Sequence, residues 1–224
     1  MNVFYQPRLK EGINILDGDE AHHAKVLRLS FGDNILVTDG KGLIVEAVIA
    51  SGGFKVLNQK TFTRNYSTNL FVAPTKNSDR IEWLVEKATE IGVASITMVE
   101  CKRSERKNIN HDRLVKMAVS AMKQSQQPWL PEIKPLTSFP DIIKENFDQK
   151  FIAFVDHTNP DQLKNLVKTK QSYGLLIGPE GDFTDEEIQF AIKNNWQKVS
   201  LGPTRLRTET AALTGALTLM LVNN

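Results

Sequence analysis

Ile177-Gly178-Pro179-Glu180-Gly181-Asp182-Phe183 and Leu201-Gly202-Pro203-Thr204-Arg205-Leu206-Arg207-Thr208-Glu209-Thr210-Ala211 are the two stretches that decide the fold of this 224-residue chain. Each follows a short apolar run and precedes a segment with helical spacing, so each predicts a strand, a loop and a helix. Open α/β sheets bind small ligands at the carboxyl ends of their strands, where glycine lets the backbone approach closely. We therefore expect two loops on neighbouring strands to form opposite walls of one pocket. The alternative is that Gly and Pro only mark connecting turns.

From about residue 70 onward, strand-like and helix-like segments alternate. Helices are predicted from about Asp79 to a C-cap at Gly92, from about Asp112, and from a capping box at Thr184-Asp185-Glu186-Glu187. Strands are predicted at 70–73, 94–99, 151–155, 173–177 and 198–201. Units of this length favour a mostly parallel sheet with helices on both faces, so residues 71–224 are predicted to form one α/β domain.

The last predicted helix, from Thr208 to about Val222, is apolar on nearly every side after Glu209. Such a helix must be covered all round, and it is too short to span a bilayer. Small residues along it would allow close backbone approach. Two interpretations remain open: a helix buried at the centre of one subunit, or a helix partly buried between two subunits.

Residues 1–70 are β-rich and form a separate predicted domain. Short β-branched runs at 35–38, 43–49 and 54–57 are separated by the turns Asp39-Gly40 and Gly52-Gly53, and a short helix is predicted at 20–29. A small β-barrel fits this pattern.

Composition is that of an ordinary soluble globular protein, with 41% hydrophobic and 24% charged residues and a net charge of +2. Positive charge concentrates between Lys102 and Lys123, which favours contact with phosphates, although a solvated helix face is the plainer interpretation. The single Cys101 excludes an internal disulfide, and no zinc-type spacing occurs. With no signal-like or membrane-spanning segment, we expect a cytoplasmic protein.

Four motifs, in this order along the chain, carry a family resemblance. They are His22-His23-Ala24-Lys25-Val26-Leu27-Arg28, Glu86-Lys87-Ala88-Thr89-Glu90-Ile91-Gly92-Val93, Gly178-Pro179-Glu180-Gly181 and Leu206-Arg207-Thr208-Glu209-Thr210-Ala211. The chain resembles the RsmE-type 16S rRNA uridine-N3 methyltransferases of the knotted SPOUT class. The resemblance implies an α/β fold with a trefoil knot preceded by a PUA-like β-barrel, a homodimer, and methylation of a uridine N3 in 16S rRNA of the small ribosomal subunit.

The resemblance also implies that S-adenosyl-L-methionine binds at the two C-terminal loops. Loops that follow strands expose backbone groups able to contact adenine. The residues predicted to bind the cofactor are Leu176, Ile177, Gly178, Pro179, Glu180, Gly181, Leu201, Gly202, Leu206, Arg207, Thr208, Thr210 and Ala211. Glu180 has the alternative role of bonding to loop backbone. Residues 156–160 are expected to form a third wall.

Methylation at uridine N3 requires loss of a proton, either to a general base or with a cation stabilising the anion that develops. Arg207 is the predicted cation and Glu209 the less favoured base, although Glu209 also suits the first turn of a helix. No metal is required. The predicted RNA contacts are Arg8, Lys25, Arg28, Lys102, Arg103, Arg106 and Lys107. His22 and His23 are more simply surface or packing residues.

Two positions depart from the family pattern. Gln127 stands where the family usually has Arg, so we expect a nearby cation such as Lys123 to take over that contact. Asp182 stands where many members have a second Gly, which adds a carboxylate beside the pocket. Other hypotheses remain: a SPOUT methyltransferase acting on another RNA position, or a non-catalytic RNA-binding protein of the same fold. A Rossmann-type enzyme is disfavoured because no Gly-x-Gly-x-x-Gly motif follows an early strand.

Overall fold

The computed structural model describes residues 1–10, 12–16, 18–155 and 161–224. The chain divides into two compact units: residues 1–63 together with 119–130, and residues 64–118 together with 131–224. No helix in the described ranges is long and apolar enough to cross a membrane.

The first unit contains a five-stranded sheet and one helix. Its elements are β1 (Val3–Tyr5), β2 (Ile13–Asn14), α1 (Gly18–Val26), β3 (Asn34–Thr38), β4 (Leu43–Ala50) and β5 (Gly53–Thr61). The strand order is β1-β3-β4-β5-β2, with β1 parallel to β3 and the other pairs antiparallel. A bulge between Glu46 and Ala47 bends β4, as expected in a sheet that curls. The predicted β-rich region is confirmed.

A buried cluster on this sheet supplies the first unit's core. Its residues are Phe4, Ile35, Val37, Val45, Ala47 and Phe54. Alternation along β3 and β4 places Ile35, Val37, Val45 and Ala47 on one face, and all four come from the short apolar runs that predicted these strands. β1 and β2 were missed because three and two residues are too short to show a period.

Residues 119–130 complete the first unit. Leu130 N donates to Gly40 O at 2.9 Å, and Gly42 N donates to Pro128 O at 2.9 Å. Lys123 Nζ lies 2.6 Å from Glu20 Oε1, and both side chains are largely buried. The backbone bonds and this ion pair attach the segment to β3, β4 and α1.

The second unit is an α/β domain, as predicted, and its six-stranded sheet is parallel throughout. Its elements are β6 (Ser67–Val72), α2 (Ser78–Ile91), β7 (Ser95–Glu100), α3 (His111–Ser125, whose later residues belong to the first unit), β8 (Glu132–Ser138), α4 (Phe139–Ile143), β9 (Gln149–Ala153), α5 (Leu163–Leu166), β10 (Ser172–Ile177), α6 (Asp185–Lys193), β11 (Gln197–Val199) and α7 (Thr208–Asn223). The order is β11-β9-β10-β6-β7-β8.

The expectation that the two C-terminal loops leave neighbouring strands is wrong. β9 lies between β10 and β11 and pairs with both: Phe151 is opposite Leu175 on one side and Gln197 on the other. β10 and β11 therefore pair with opposite edges of β9, whose residues Phe151–Ala153 have buried side chains. The carboxyl end of β9 therefore lies between the two loops.

Two predicted helix ends are confirmed in atomic detail. Gly92 closes α2 in the left-handed conformation, with φ of 88°, and its N–H donates to Ala88 O and Thr89 O. Thr184 and Glu187 form the capping box of α6: each side chain accepts a hydrogen bond from the other residue's backbone N–H.

Helix α7 packs against α2, β6 and β10. Gly215 makes this approach possible, because a Cβ there would lie 2.3 Å from Cδ2 of the buried Leu175. One side of the helix remains open in the single chain, where Leu217 and Leu221 are exposed. The helix is therefore covered on most of its surface within one subunit.

Strand β8 was not predicted from the sequence. It is an edge strand, it contains Pro135, and its pairing with β7 is interrupted between Thr97 and Val99. Proline is tolerated on an edge strand because one side of that strand makes no ladder bonds.

Candidate functional site

A cavity of about 680 Å³ lies at the carboxyl ends of β9, β10 and β11 and at the start of α7. Cavities of this size suit a small organic ligand or cofactor. The walls come from the ends of three strands, as expected for an open parallel sheet. The lining residues are Arg80, Ala153, Phe154, Val155, Gln162, Ile177, Gly178, Pro179, Glu180, Asp182, Val199, Ser200, Leu201, Gly202, Pro203, Thr204, Arg205, Leu206, Arg207, Thr208 and Ala211.

The structure brings most of the predicted cofactor contacts together around this cavity. They are Ile177, Gly178, Pro179, Glu180, Leu201, Gly202, Leu206, Arg207, Thr208 and Ala211. Gly178 has a local reason to be glycine, because a Cβ there would lie 3.0 Å from the ring of Phe183. Both loops singled out from the sequence therefore face one space.

Four predicted site residues do not line the cavity. Leu176 points to the opposite face of β10 and is buried among apolar side chains, since strand residues alternate between faces. Gly181 lies against the side chain of Arg103. Thr210 is exposed on α7. Glu209 is buried, and its carboxylate lies beside Arg80. Their functional roles stay predictions.

Arg80 on α2 is the site residue that sequence reasoning missed most clearly. Its guanidinium lies 3.4 Å from Glu180 Oε1 and 3.7 Å from Glu209 Oε1, so it joins the loop after β10 to the first turn of α7. The other oxygen of Glu209, Oε2, is buried without a hydrogen-bond partner in the described part of the chain. Glu180 thus pairs with an arginine, and not with loop backbone as the sequence suggested.

Two further hydrogen bonds connect the same loops. Thr208 Oγ1 donates to Gly178 O at 3.0 Å in a buried position. Arg205 Nη2 donates to Glu180 O at 3.1 Å at the surface. Each acceptor lies in the loop after β10 and each donor in the segment after β11, so the walls are bonded to each other.

Asp182 bonds to the segment that directly follows β9. Its Oδ2 accepts a hydrogen bond from Val155 N at 3.1 Å, which ties the segment after β9 to the loop after β10. Asp182 has a φ of 62°, a left-handed conformation that Gly adopts freely and Asp tolerates better than most residues. A Gly at this position would adopt the same backbone conformation without strain. The predicted contribution of residues 156–160 lies outside the described residues.

Arg207 occupies the N-cap position of α7 and is exposed at the cavity wall. Its side chain makes no hydrogen bond or ion pair with the described residues, unlike Arg80 and Arg205 beside it. No side chain caps the helix, so the first N–H groups of α7 remain available at the wall. This end of the cavity favours negative charge.

The basic cluster that was predicted to bind RNA is largely occupied within the protein. Lys102 pairs with Glu186, and Lys107 pairs with Glu100. Arg103 donates to Gly181 O and Phe183 O, while Arg106 donates to Lys76 O. Arg103, which does not line the cavity, therefore stabilises the loop after β10.

The remaining predicted RNA contacts lie in the first unit. Arg8, Lys25 and Arg28 are exposed, and no side-chain hydrogen bond or ion pair joins them to residues that the structure describes. Lys123 differs, because its ammonium group pairs with Glu20 at 2.6 Å. The expectation that Lys123 replaces the missing arginine contact at Gln127 is therefore not supported by its position.

Cys101 is not a candidate nucleophile. It is buried between β7 and α6, and burial, reinforced by the charge of Glu187, raises the pKa of its thiol far above the usual range.

Comparison with known protein families agrees with this geometry. The RNA methyltransferase domain family matches residues 63–220, and the RNA methyltransferase PUA domain family matches residues 16–56. The first match covers more than half of the chain.

The chain belongs to the RNA methyltransferase domain family.

Individual relatives of this family are similar over nearly the whole chain. A ribosomal RNA small subunit methyltransferase E from Rickettsia conorii is 26% identical, covering 95% of this chain and 91% of its own. The crystal structure of a probable rRNA-methyltransferase from Porphyromonas gingivalis is 34% identical, with a TM-score of 0.88 and 99% of each chain covered. A ribosomal RNA small subunit methyltransferase E from Neisseria gonorrhoeae, bound to S-adenosyl methionine, is 25% identical, with a TM-score of 0.86, covering 100% of this chain and 98% of its own.

The Arg80–Glu209 pair makes a testable contribution to the stability of this methyltransferase domain. Replacing Arg80 with Ala leaves a buried carboxylate without its cation, so we expect the free energy of unfolding to fall by about 1–3 kcal/mol. The double variant Arg80→Ala/Glu209→Gln should recover part of that loss, because a neutral amide is easier to bury. Urea denaturation of the three proteins measures both effects. Equal stability of wild type and Arg80→Ala would show that the pair contributes nothing.

The Asp182–Val155 bond predicts a local change in hydrogen exchange. Asp182→Gly suits the left-handed backbone but removes the acceptor, so the Val155 amide should exchange about fivefold to tenfold faster, which corresponds to one lost hydrogen bond of about 1 kcal/mol. Asp182→Asn keeps an acceptor oxygen and serves as the matched control. Unchanged Val155 protection in the Gly variant would contradict the assigned role.

Proposed function

We propose that this chain transfers a methyl group from S-adenosyl-L-methionine to N3 of a uridine in 16S rRNA of the small ribosomal subunit. The observation that carries the proposal is the cavity at the ends of β9, β10 and β11, into which both motif loops of an RNA methyltransferase domain face. The relatives named for small-subunit rRNA methylation, and the one bound to S-adenosyl methionine, support the substrate and the cofactor.

The residues present fit this cofactor. The cavity is large enough for a nucleoside joined to an amino acid. Ile177, Leu201 and Leu206 offer apolar surface for a base, while the adjoining loop backbone offers hydrogen-bonding groups. The uncapped start of α7 suits the cofactor's carboxylate.

S-adenosylmethionine, when bound, supplies a methyl group already activated by a positive sulfonium. The protein must then align the uridine nitrogen with that group and favour loss of the N3 proton. The rigidly connected walls of the cavity provide alignment, because Thr208, Arg205 and Arg80 hold them at fixed distances.

We assign to Arg207 the stabilisation of the uracil anion that forms when N3 loses its proton. It is a cation at the cavity wall whose guanidinium is not engaged by the described protein groups. A positive charge aimed at the ring oxygens stabilises the negative charge that develops as the proton leaves. Glu209 is less suited to act as the base, because its buried carboxylate lies against Arg80 and away from the cavity lining.

We assign RNA binding to the region 1–70, through Arg8, Lys25 and Arg28, and catalysis to the region 71–224. The free side chains of these three residues support that division, and Lys102, Arg103, Arg106 and Lys107 are secondary candidates because each has a partner within the protein. We assign the reaction to the cytoplasm because the proposed substrate is RNA of the small ribosomal subunit.

The homodimer and the trefoil knot implied by the resemblance belong to this proposal. Leu217 and Leu221 form an exposed apolar stripe on α7, and exposed Trp83 lies on α2, which packs against α7. Burying such a surface against a second copy removes apolar area from water and stabilises a dimer.

The function is tested by identifying the methylated nucleoside. Small ribosomal subunits and their extracted RNA, taken from cells that lack this activity, are incubated with the protein and methyl-labelled cofactor, then digested and analysed by mass spectrometry. The proposal predicts 3-methyluridine at one site. Another methylated nucleoside would assign a different RNA position, and complete absence of label would indicate a non-catalytic RNA-binding protein.

The role of Arg207 predicts a specific kinetic defect. Arg207→Ala should lower the single-turnover methylation rate about 100-fold or more, as for other removed transition-state donors, with little change in cofactor affinity. The defect should shrink as pH rises, because hydroxide then assists loss of the N3 proton. Arg205→Ala is the control, since Arg205 donates to Glu180 O and should affect cofactor affinity instead. A fully active Arg207→Ala enzyme would remove Arg207 from the mechanism.

The proposed dimer interface at Leu217 and Leu221 predicts that a charged substitution there halves the mass of the protein in solution. Leu221 is 64% exposed in one chain, so Leu221→Glu leaves the fold intact but places a charge in the proposed interface. Sedimentation equilibrium should show a dimer for the wild type and a monomer for the variant. Leu57→Glu, at an exposed position on β5, should remain dimeric. A monomeric wild type would contradict the proposed assembly.

A further inference from the structure

The segment from Lys25 to Phe31 exposes apolar side chains that folding does not explain. Helix α1 has no buried residue, and the segment that ends it leaves Val26 64% exposed and Phe31 81% exposed, with Leu27 also exposed. Scattered exposed apolar residues are ordinary, but three within six residues form a patch. An aromatic ring held in water in this way suggests a binding surface.

The backbone holds Phe31 in a fixed position. Residues 30–33 form a turn in which Asp33 N donates to Ser30 O at 3.1 Å and Gly32 has a φ of 92°, the pattern of a type II turn. Asp33 Oδ2 accepts from Ser30 N at 2.7 Å, and Gly32 N donates to Ile49 O at 2.9 Å. Phe31 is the first central residue of this turn. The ring is therefore presented by a rigid loop, which lowers the entropy lost on binding.

The adjoining end of α1 is equally defined. Leu29 N donates to Ala24 O at 3.1 Å, and Arg28 adopts the left-handed conformation with a φ of 53°. These features form a helix C-terminal turn. The turn fixes the backbone of Lys25 and Arg28, which lie six and three residues before Phe31.

The charged side chains within the Lys25–Phe31 segment are positive and free to bind a ligand. Lys25 and Arg28 are exposed, with no side-chain ion pair or hydrogen bond to the described residues, whereas Lys102, Arg103, Arg106 and Lys107 are engaged within the protein. The acid nearest to Phe31 in sequence is Asp33, whose carboxylate accepts a hydrogen bond from the Ser30 amide. An exposed aromatic ring within six residues of two free cations matches a single-stranded nucleic acid, whose bases stack on rings and whose phosphates pair with Lys and Arg.

We infer that Phe31 stacks on an unpaired base of the RNA substrate, with Lys25 and Arg28 on neighbouring phosphates. The inference rests on the proposed function, because it takes the RNA to be the partner. It adds a base contact outside the cavity, which positions the RNA and leaves the cofactor site unchanged. Stacking is tolerant of base identity, so this contact contributes affinity more than sequence preference.

The test compares Phe31→Ala, Phe31→Trp and Leu57→Ala, the last being an exposed residue of β5 that serves as the matched control. The RNA extracted from small ribosomal subunits is the probe. Loss of one stacking contact should raise the Kd for this RNA about tenfold in Phe31→Ala and raise the KM for RNA similarly, while kcat and cofactor affinity stay unchanged. Phe31→Trp should bind like the wild type, and RNA should quench its tryptophan fluorescence more than that of the wild type, which contains three tryptophans.

Four results would overturn the inference. The first is equal RNA affinity of wild type and Phe31→Ala, and the second is an equal loss in Leu57→Ala. The third is quenching in Phe31→Trp no greater than in the wild type. The fourth is a shift of Phe31→Ala alone to a smaller species in sedimentation, which would assign the patch to a second copy of the chain. Failure of the proposed function is distinguishable, since the wild type itself would then form no 3-methyluridine in this RNA.

Discussion

The hydrogen bond from Thr208 Oγ1 to Gly178 O is the interaction on which the site depends most. It joins the start of α7 to the loop after β10 in a place that water does not reach. The two segments are thirty residues apart in sequence and leave strands that are not neighbours. Without a bond across the gap, nothing local in either segment would hold them at one distance. A buried hydrogen bond of this kind is expensive to break, because both groups then lose their partner.

Around that bond, the site is organised by charge. Arg80 and Arg205 are engaged by Glu180 through its carboxylate and its carbonyl oxygen, while Arg207 is left free at the cavity wall. The first two arginines thus hold structure together, and the third is available for a substrate. Arg103 adds support from outside by donating to Gly181 O and Phe183 O. The loop after β10 is bonded on several sides, which keeps its backbone in place for recognition of a small ligand.

Much of this could be predicted from local sequence. The strand–loop–helix order, the cap at Gly92, the capping box at Thr184 and the apolar helix α7 all follow from periodicity and end signals that act over a few residues. The two glycine loops were also found correctly as walls of one cavity, because carboxyl ends of parallel strands share an edge.

What could not be predicted depends on contacts between distant segments. The insertion of β9 between β10 and β11 is a matter of strand order, which no local pattern encodes. Arg80 lies about a hundred residues before its partner Glu180, so its place in the site had no sequence signal. The alternation of side chains along a strand explains why Leu176, one residue before the first loop stretch, points away from the cavity, and helical spacing explains the same for Thr210 inside the second.

The central claim is that S-adenosyl-L-methionine binds in the cavity between these loops, and calorimetric titration of that cofactor tests it most directly. Ala211 lines the cavity, whereas its neighbour Thr210 is exposed and does not. The account predicts one site per chain in the wild type, loss of binding in Ala211→Trp and retained binding in Thr210→Trp. No heat of binding in the wild type, or undiminished binding in Ala211→Trp, would contradict it.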